Sequence, residues 1–169
     1  FKKVLGKDFS LNTNKQHLEK HIIDLKSIIQ NKSDRKLILN GYFQRYEYYE
    51  KYSDEIKKWF YFKNQYTQSS NDLVVHVRRD DYITHGYTLT FESYKKMIKS
   101  TSFNKLYIVT DSPNDVFLKK FNLYNPIIVN NNCIEDFKFI SSFNKIIISQ
   151  SSYSWWAAFL SNATEIIFP

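Results

Sequence analysis

From residue 72 onward the apolar and polar positions follow a regular beat. Short apolar runs at residues 72–78, 105–110, 127–130, 145–149 and 165–168 read as strands. Between them, apolar residues recur at helical spacing over Phe91–Lys99, about Pro113–Phe121, Glu135–Phe143 and Ser152–Leu160. Thr90 stands at the N-cap position of the first of these helices. Ser112-Pro113-Asn114-Asp115 reads as the start of the second, with Ser112 as its N-cap. Residues 79–86 read as a loop. Helices of about ten residues between apolar strands predict crossover connections and a parallel sheet. The expected fold class is α/β: a doubly wound, mostly parallel, Rossmann-like sheet over residues 72–169.

Residues 1–71 follow a different pattern and are expected to form an N-terminal helical and linker segment. Leu18, Ile22, Leu25 and Ile29 recur at helical spacing, which predicts a helix over 13–30. Lys36–Asn40 reads as a short strand, residues 47–62 as a second helix and residues 63–71 as a polar loop.

A parallel sheet gathers the carboxyl ends of its strands on one edge, where open α/β sheets bind ligands. That edge is expected to collect His76, Arg78, Arg79, Asp80 and Asp81 from the first loop. Thr110, Asp111 and Ser112 come from the second, Asn130 from the third, and Ser149, Gln150, Ser151 and Ser152 from the fourth. Arginine suits bidentate recognition of phosphate. The free N–H groups and dipole of the helix that opens at Ser152 suit an anion. The bland alternatives are a solvated Arg-Arg-Asp-Asp turn, a hydrogen-bonded core His76 and serines that only cap a helix. Asp111 fits two roles equally: acceptor of two donors from a planar base or a ribose, or cap of the helix after it. Trp155 and Trp156 are adjacent, so they face different ways; one is expected in the core and the other at the crevice. Gln44, at a strand-to-helix turn, is a further ligand candidate.

Composition narrows the classes. The 169 residues carry 24 Lys and Arg against 17 Asp and Glu, a net charge of +7. That balance favours anionic partners. The lysines are scattered along the helices instead of forming a tract interleaved with aromatics, which argues against nucleic acid. The single Cys133 excludes an intrachain disulfide framework. No apolar run has membrane-spanning length. The abrupt ends, Phe1 and Pro169, read as cuts inside a longer protein. G-x-S-x-G, G-x-G-x-x-G and Walker motifs are absent, and no His, Cys or carboxylate set has metal-ligand spacing.

Three motifs carry a resemblance. His76-Val77-Arg78-Arg79-Asp80-Asp81-Tyr82 resembles H-x-R-R-G-D-Y of the α-1,2-fucosyltransferases, glycosyltransferase family 11. Residues 151–160, Ser-Ser-Tyr-Ser-Trp-Trp-Ala-Ala-Phe-Leu, resemble that family's S-T-[FY]-S-W-W-x-A-[WFY]-L, and Gly41-Tyr42-Phe43-Gln44 its G-Y-[WF]-Q. Asp80 stands where the family has Gly, and the family's glycine-rich N-terminal segment is absent. The chain therefore resembles the donor-binding C-terminal half of a GT-B-type enzyme.

The resemblance implies inverting, metal-independent transfer of L-fucose from GDP-fucose to a galactose hydroxyl, with no cofactor beyond the donor. Arg78 would bind the pyrophosphate and stabilise the departing GDP. His76 and Asp111 would bind the nucleoside, and Ser151 and Ser152 would hold phosphate oxygens. Tyr153, Trp155 and Gln44 would complete the substrate site. Arg79 would fix Asp81 by an ion pair, with Asp81 the candidate base. The implied partners are a GDP-sugar donor and a glycan with terminal galactose, with no nucleic acid and no membrane segment. A bacterial or viral member would be cytoplasmic, and a secretory-pathway member would be anchored through an upstream segment. The alternatives are a non-catalytic nucleotide-sugar- or glycan-binding fragment and a transferase of another GDP-sugar.

Overall fold

The computed structural model describes residues 3–5, 8–10, 36–39, 46–60, 66 and 70–169. The predicted 13–30 helix and the Gly41-Tyr42-Phe43-Gln44 segment lie outside the described residues. By its internal contacts the chain divides into two units, Phe1–Glu55 and Ile56–Pro169.

The first unit contains three short strands: β1 (Lys3–Leu5), β2 (Asp8–Ser10) and β3 (Lys36–Leu39). β3 lies between the other two, antiparallel to β1 and parallel to β2. β3 falls on the predicted 36–40 strand, whereas β1 and β2 were not expected. The helix predicted over 47–62 is instead broken into two single 3-10 turns, Tyr46–Tyr48 and Glu50–Tyr52, followed by a shorter helix, α1 (Ser53–Trp59).

The second unit carries a five-stranded sheet: β4 (Leu73–Val77), β5 (Leu106–Thr110), β6 (Ile127–Val129), β7 (Lys145–Ile147) and β8 (Glu165–Ile167). The order is β6-β5-β4-β7-β8, with every neighbouring pair parallel. This is the Rossmann-like arrangement expected from the sequence. The chain runs outward from β4 to β5 and β6, then returns to place β7 on the other side of β4. The order thus reverses between β4 and β7, and the ends of those two strands part to leave a crevice.

β4 is apolar because both its faces are covered. Leu73, Val75 and Val77 join a layer with Tyr94, Met97 and Ile98 of α3 (Phe91–Lys99) and with Leu118 and Phe121 of the 3-10 helix Val116–Tyr124. Val74 faces the opposite layer, with Phe139 and Ile140 of α4 (Cys133–Ser141) and Ala157 and Ala158 of α5 (Ser152–Leu160). By strand alternation His76 shares the face of Val74. It sits one step from the strand's end, where the apolar layer stops.

Two local expectations need correction. Asp80–His85 is a helix, α2, not a loop. Its N-cap residue Arg79 gives no side-chain cap. Instead Asp111 Oδ1 accepts from the Arg79 N–H at 3.0 Å, and Ser112 Oγ from the Asp80 N–H at 3.2 Å. Gly86, with φ of +69°, closes α2 in the left-handed conformation that glycine adopts without steric cost. Ser112 is thereby taken from the role predicted for it. The helix after β5 starts at Val116, is 3-10 in form, and is capped by Asp115, whose Oδ1 accepts from the Phe117 N–H at 2.8 Å. Thr90 does cap α3, accepting from the Ser93 N–H at 3.2 Å.

Candidate functional site

A cleft of about 620 Å³ opens at the carboxyl edge of the sheet. Four loops line it. His76, Arg78, Asp81 and Tyr82 come from β4 and α2, and Thr110 and Asp111 from the end of β5. Asn130, Asn131, Cys133 and Asp136 follow β6, and Ser151, Ser152 and Tyr153 follow β7. Its volume falls in the range of small-molecule sites. Of the residues singled out in the sequence, His76, Arg78, Asp81, Asp111, Ser151, Ser152 and Tyr153 meet here.

Arg78 is held between two carboxylates. Its Nη2 donates to Asp81 Oδ1 at 2.6 Å, and its Nη1 pairs with Asp111 Oδ2. The guanidinium also lies 5.2 Å from the ring centre of Tyr82. A guanidinium has five N–H donors, so these two contacts leave others for a ligand. Asp111 in turn holds the loop, because its other oxygen accepts from the Arg79 N–H and from Ser112 Oγ.

Arg79 is turned away from the cleft. It was expected to pair with Asp81; its Nε instead donates to Asp115 Oδ2 at 2.7 Å, and its guanidinium stacks 4.2 Å from the Phe117 ring. The Phe117 N–H first and the Arg79 guanidinium second hold the Asp115 carboxyl below the usual carboxylate range. Consecutive residues leaving a strand point to opposite sides, so only one of two adjacent arginines reaches the crevice.

His76 lies at the cleft floor. It is buried, its Nδ1 is hydrogen-bonded to Ser149 Oγ at 2.8 Å, and the Tyr153 ring lies 5.5 Å away. Burial pulls its pKa down to about 4, with Asp111 opposing that shift and Arg78 adding to it. The imidazole is therefore neutral at neutral pH. The Tyr153 hydroxyl donates to the Cys133 carbonyl, and burial pushes its pKa up.

At the start of α5, Ser151 gives no side-chain cap to its own helix. It is nonetheless buried and lines the cleft together with Ser152 at the start of α5. Ser151 thus holds the N-cap position of α5 without the side-chain bond that a capping serine makes. Trp155 and Trp156 are both half-buried and neither lines the cleft. Trp155 packs on the α4/α5 layer and stacks on Phe159 at an interplanar angle of 9°.

No motif in the sequence picks out Asp136. It is buried on α4, and its Oδ1 accepts from the Asn131 N–H and side chain, both at 3.0 Å. Its place in the wall follows from Asn132, whose side chain caps α4 through Ile134 and Glu135 N–H and turns the first helical turn toward the cleft. The Asn130-Asn131-Asn132 run was the available signal. Among the described residues no group of His, Cys, Asp and Glu side chains is arranged to hold a metal ion, and no helix is long and apolar enough to cross a membrane.

A parallel α/β sheet with a polar cleft at its order reversal defines a Rossmann-like domain. Residues 102–168 match the family model described as glycosyl transferase family 11. The match takes in the cleft loops after β5, β6 and β7, while the Arg78 loop lies upstream of it. No curated protein matches the chain.

Proposed function

We propose that this protein transfers L-fucose from GDP-fucose to a galactose hydroxyl in α-1,2 linkage, with inversion and without a metal ion. One observation carries the reading: Arg78 at the tip of β4 and the serine-lined start of α5 line the same cleft. A cation and a helix N-terminus facing one space suit a diphosphate. Arg78 then stabilises the charge that develops on GDP as the bond from its β-phosphate oxygen to the sugar breaks. The acceptor hydroxyl attacks the opposite face of the sugar carbon and gives up its proton. Asp81, half-exposed at the cleft mouth, is the base we assign. His76 and Asp136 face the nucleoside, and Ser151, Ser152 and Tyr153 the phosphates.

The test is release of GDP from GDP-fucose on addition of a β-galactoside, with GDP-mannose and UDP-sugars as competitors. Release with GDP-fucose alone, giving an α-1,2-linked product, is the expected result. Tight binding of GDP-fucose without turnover would make the chain a binding fragment, and no binding would end this reading.

Asp111 contributes through Arg78, because its two oxygens are taken up by the Arg79 N–H and the Arg78 guanidinium. Asp111→Asn is expected to weaken GDP binding about tenfold. Added to Arg78→Ala it should cost almost nothing further, since groups acting as one unit are not additive. Full additivity in calorimetric titrations would instead give Asp111 its own contact with the nucleoside.

A further inference from the structure

The aromatic side chains of α2 and of the turn that closes it continue the cleft wall outward. Tyr82 lines the cleft, with the Arg78 guanidinium 5.2 Å from its ring centre. Tyr87 meets Tyr82 with 6.0 Å between ring centres and an interplanar angle of 80°. His85 stacks on Tyr87 at 5.9 Å and 28°. The backbone sets these rings. Gly86 takes the left-handed conformation, its N–H donates to the Ile83 carbonyl at 3.3 Å, and the Tyr87 N–H donates to the Tyr82 carbonyl at 3.0 Å. A helix end of this kind brings together the apolar residues on either side of its glycine. That accounts for the contact between the two tyrosines. It does not account for the exposure of Tyr87, whose side chain stays 61% open beside a polar cleft.

The chemistry of this corner narrows what covers it. Asp80 and Asp81 stand in the first turn of α2 and disfavour an anion. The exposed aromatic area is that of two rings, Tyr87 and His85, far less than a protein interface buries. A neutral ligand about one ring in size, apolar on its face and polar at its rim, matches both facts. Galactose is such a ligand. Its axial hydroxyl leaves one side of the pyranose a continuous patch of C–H bonds, with hydroxyls around the rim. The face of an aromatic ring carries partial negative charge and attracts those hydrogens.

We propose that Tyr87, braced by His85 and Tyr82, is the platform on which the acceptor galactose lies. The identity of the sugar rests on the transferase reading; the platform itself rests on the rings. Asp81, the assigned base, and Tyr82 are neighbours on α2 and both line the cleft, so the platform sets the sugar beside the group that takes its proton. The helix end at Gly86 holds the rings in place before the sugar arrives, which lowers the cost of ordering them on binding.

The test is saturation-transfer NMR with methyl β-galactoside and the full 169-residue chain, with and without GDP. In the wild type the signal is expected to be strongest on the C–H patch of the sugar. Tyr87→Ala is expected to weaken galactoside binding about tenfold, and Tyr87→Phe to keep it. The calorimetric affinity for GDP should match the wild type in both variants. In turnover, Tyr87→Ala should raise KM for the galactoside and leave KM for GDP-fucose, a split that a general loss of structure would not give. A folded Tyr87→Ala chain that binds the galactoside as the wild type does would overturn the proposal. A wild type that gives no galactoside signal, with or without GDP, would also overturn it, and GDP binding would then decide the transferase reading separately. A galactoside signal that depends on Tyr87 in a chain that does not bind GDP would keep the platform and end the GDP-sugar reading.

Discussion

Arg78→Ala is expected to lower kcat/KM for GDP-fucose by about 10²–10³-fold, the range seen when one donor to a developing negative charge is removed. The local charges push the effect toward the upper end. In the native cleft the guanidinium separates and neutralises Asp81 and Asp111. Without it, two carboxylates face an incoming diphosphate with no cation between them. Attraction is lost and repulsion is added. Arg78→Lys should recover only part of the activity, since an ammonium is a point charge and cannot bridge both carboxylates and a phosphate with a planar fork. Arg79→Ala, by contrast, removes a side chain that holds Asp115 and Phe117 outside the cleft. It should affect stability more than donor affinity. Titration of GDP into each variant by calorimetry separates these outcomes, with thermal unfolding as the control for folding. An Arg78→Ala chain that folds and binds GDP as the wild type does would remove the phosphate assignment.

The sheet was legible because each of its strands announces itself locally. Leu73-Val74-Val75 and Ile146-Ile147-Ile148 are apolar runs that read as strands, and the helices between the runs imply parallel pairing. The cleft followed from the same logic, since a parallel sheet leaves its loops nowhere else to gather. What the sequence hid was every interaction made across elements. α2 was read as a loop because its start is capped by Asp111 and Ser112, some thirty positions downstream, and not by its own neighbours. The pairing of Arg79 with Asp115 across 36 positions was hidden for the same reason. Asp136 has no motif of its own, and only the cap at Asn132 reveals which way the first turn of α4 faces. The helix after β5 begins later than Pro113 suggests, because Ser112 is drawn toward α2 and Asp115 takes over as its cap. Asp80, where the related motif has glycine, is also explained. Asn125 is the only non-glycine with positive φ among the described residues, so position 80 needs no left-handed backbone.

The second large effect is on stability in mild acid. His76 is buried without a counter-ion on the ring, and burial takes its pKa from 6.5 to about 4. Between those values the unfolded chain binds a proton that the folded chain refuses, so the folded state is stabilised as pH rises through this window. The contribution is complete above about pH 6.5, declines as pH falls, and levels off near 4, where the folded state also takes the proton. A shift of that size corresponds to about 3 kcal/mol. The charged and titratable groups around the ring are Asp111, which favours its protonation, and Arg78, which opposes it. Tyr153 faces the ring and the Tyr94 hydroxyl donates to the His76 carbonyl, but burial raises both phenols, which stay neutral throughout. Carboxylates act lower on the scale. Asp115 and Glu135 are both held below their ordinary values, Asp115 chiefly by the Phe117 N–H and Glu135 chiefly by Lys138, so the stability they confer is lost only as pH falls through the carboxylate range. Acid unfolding should therefore come in two stages. Urea midpoints measured from pH 7 to pH 3 should fall first between about 6.5 and 4, then again below. His76→Gln, which keeps a polar group beside Ser149 but does not titrate, should flatten the first stage and leave the second. If the first stage persists in that variant, its proton belongs to another group and His76 is not the neutral, buried imidazole described for the cleft floor.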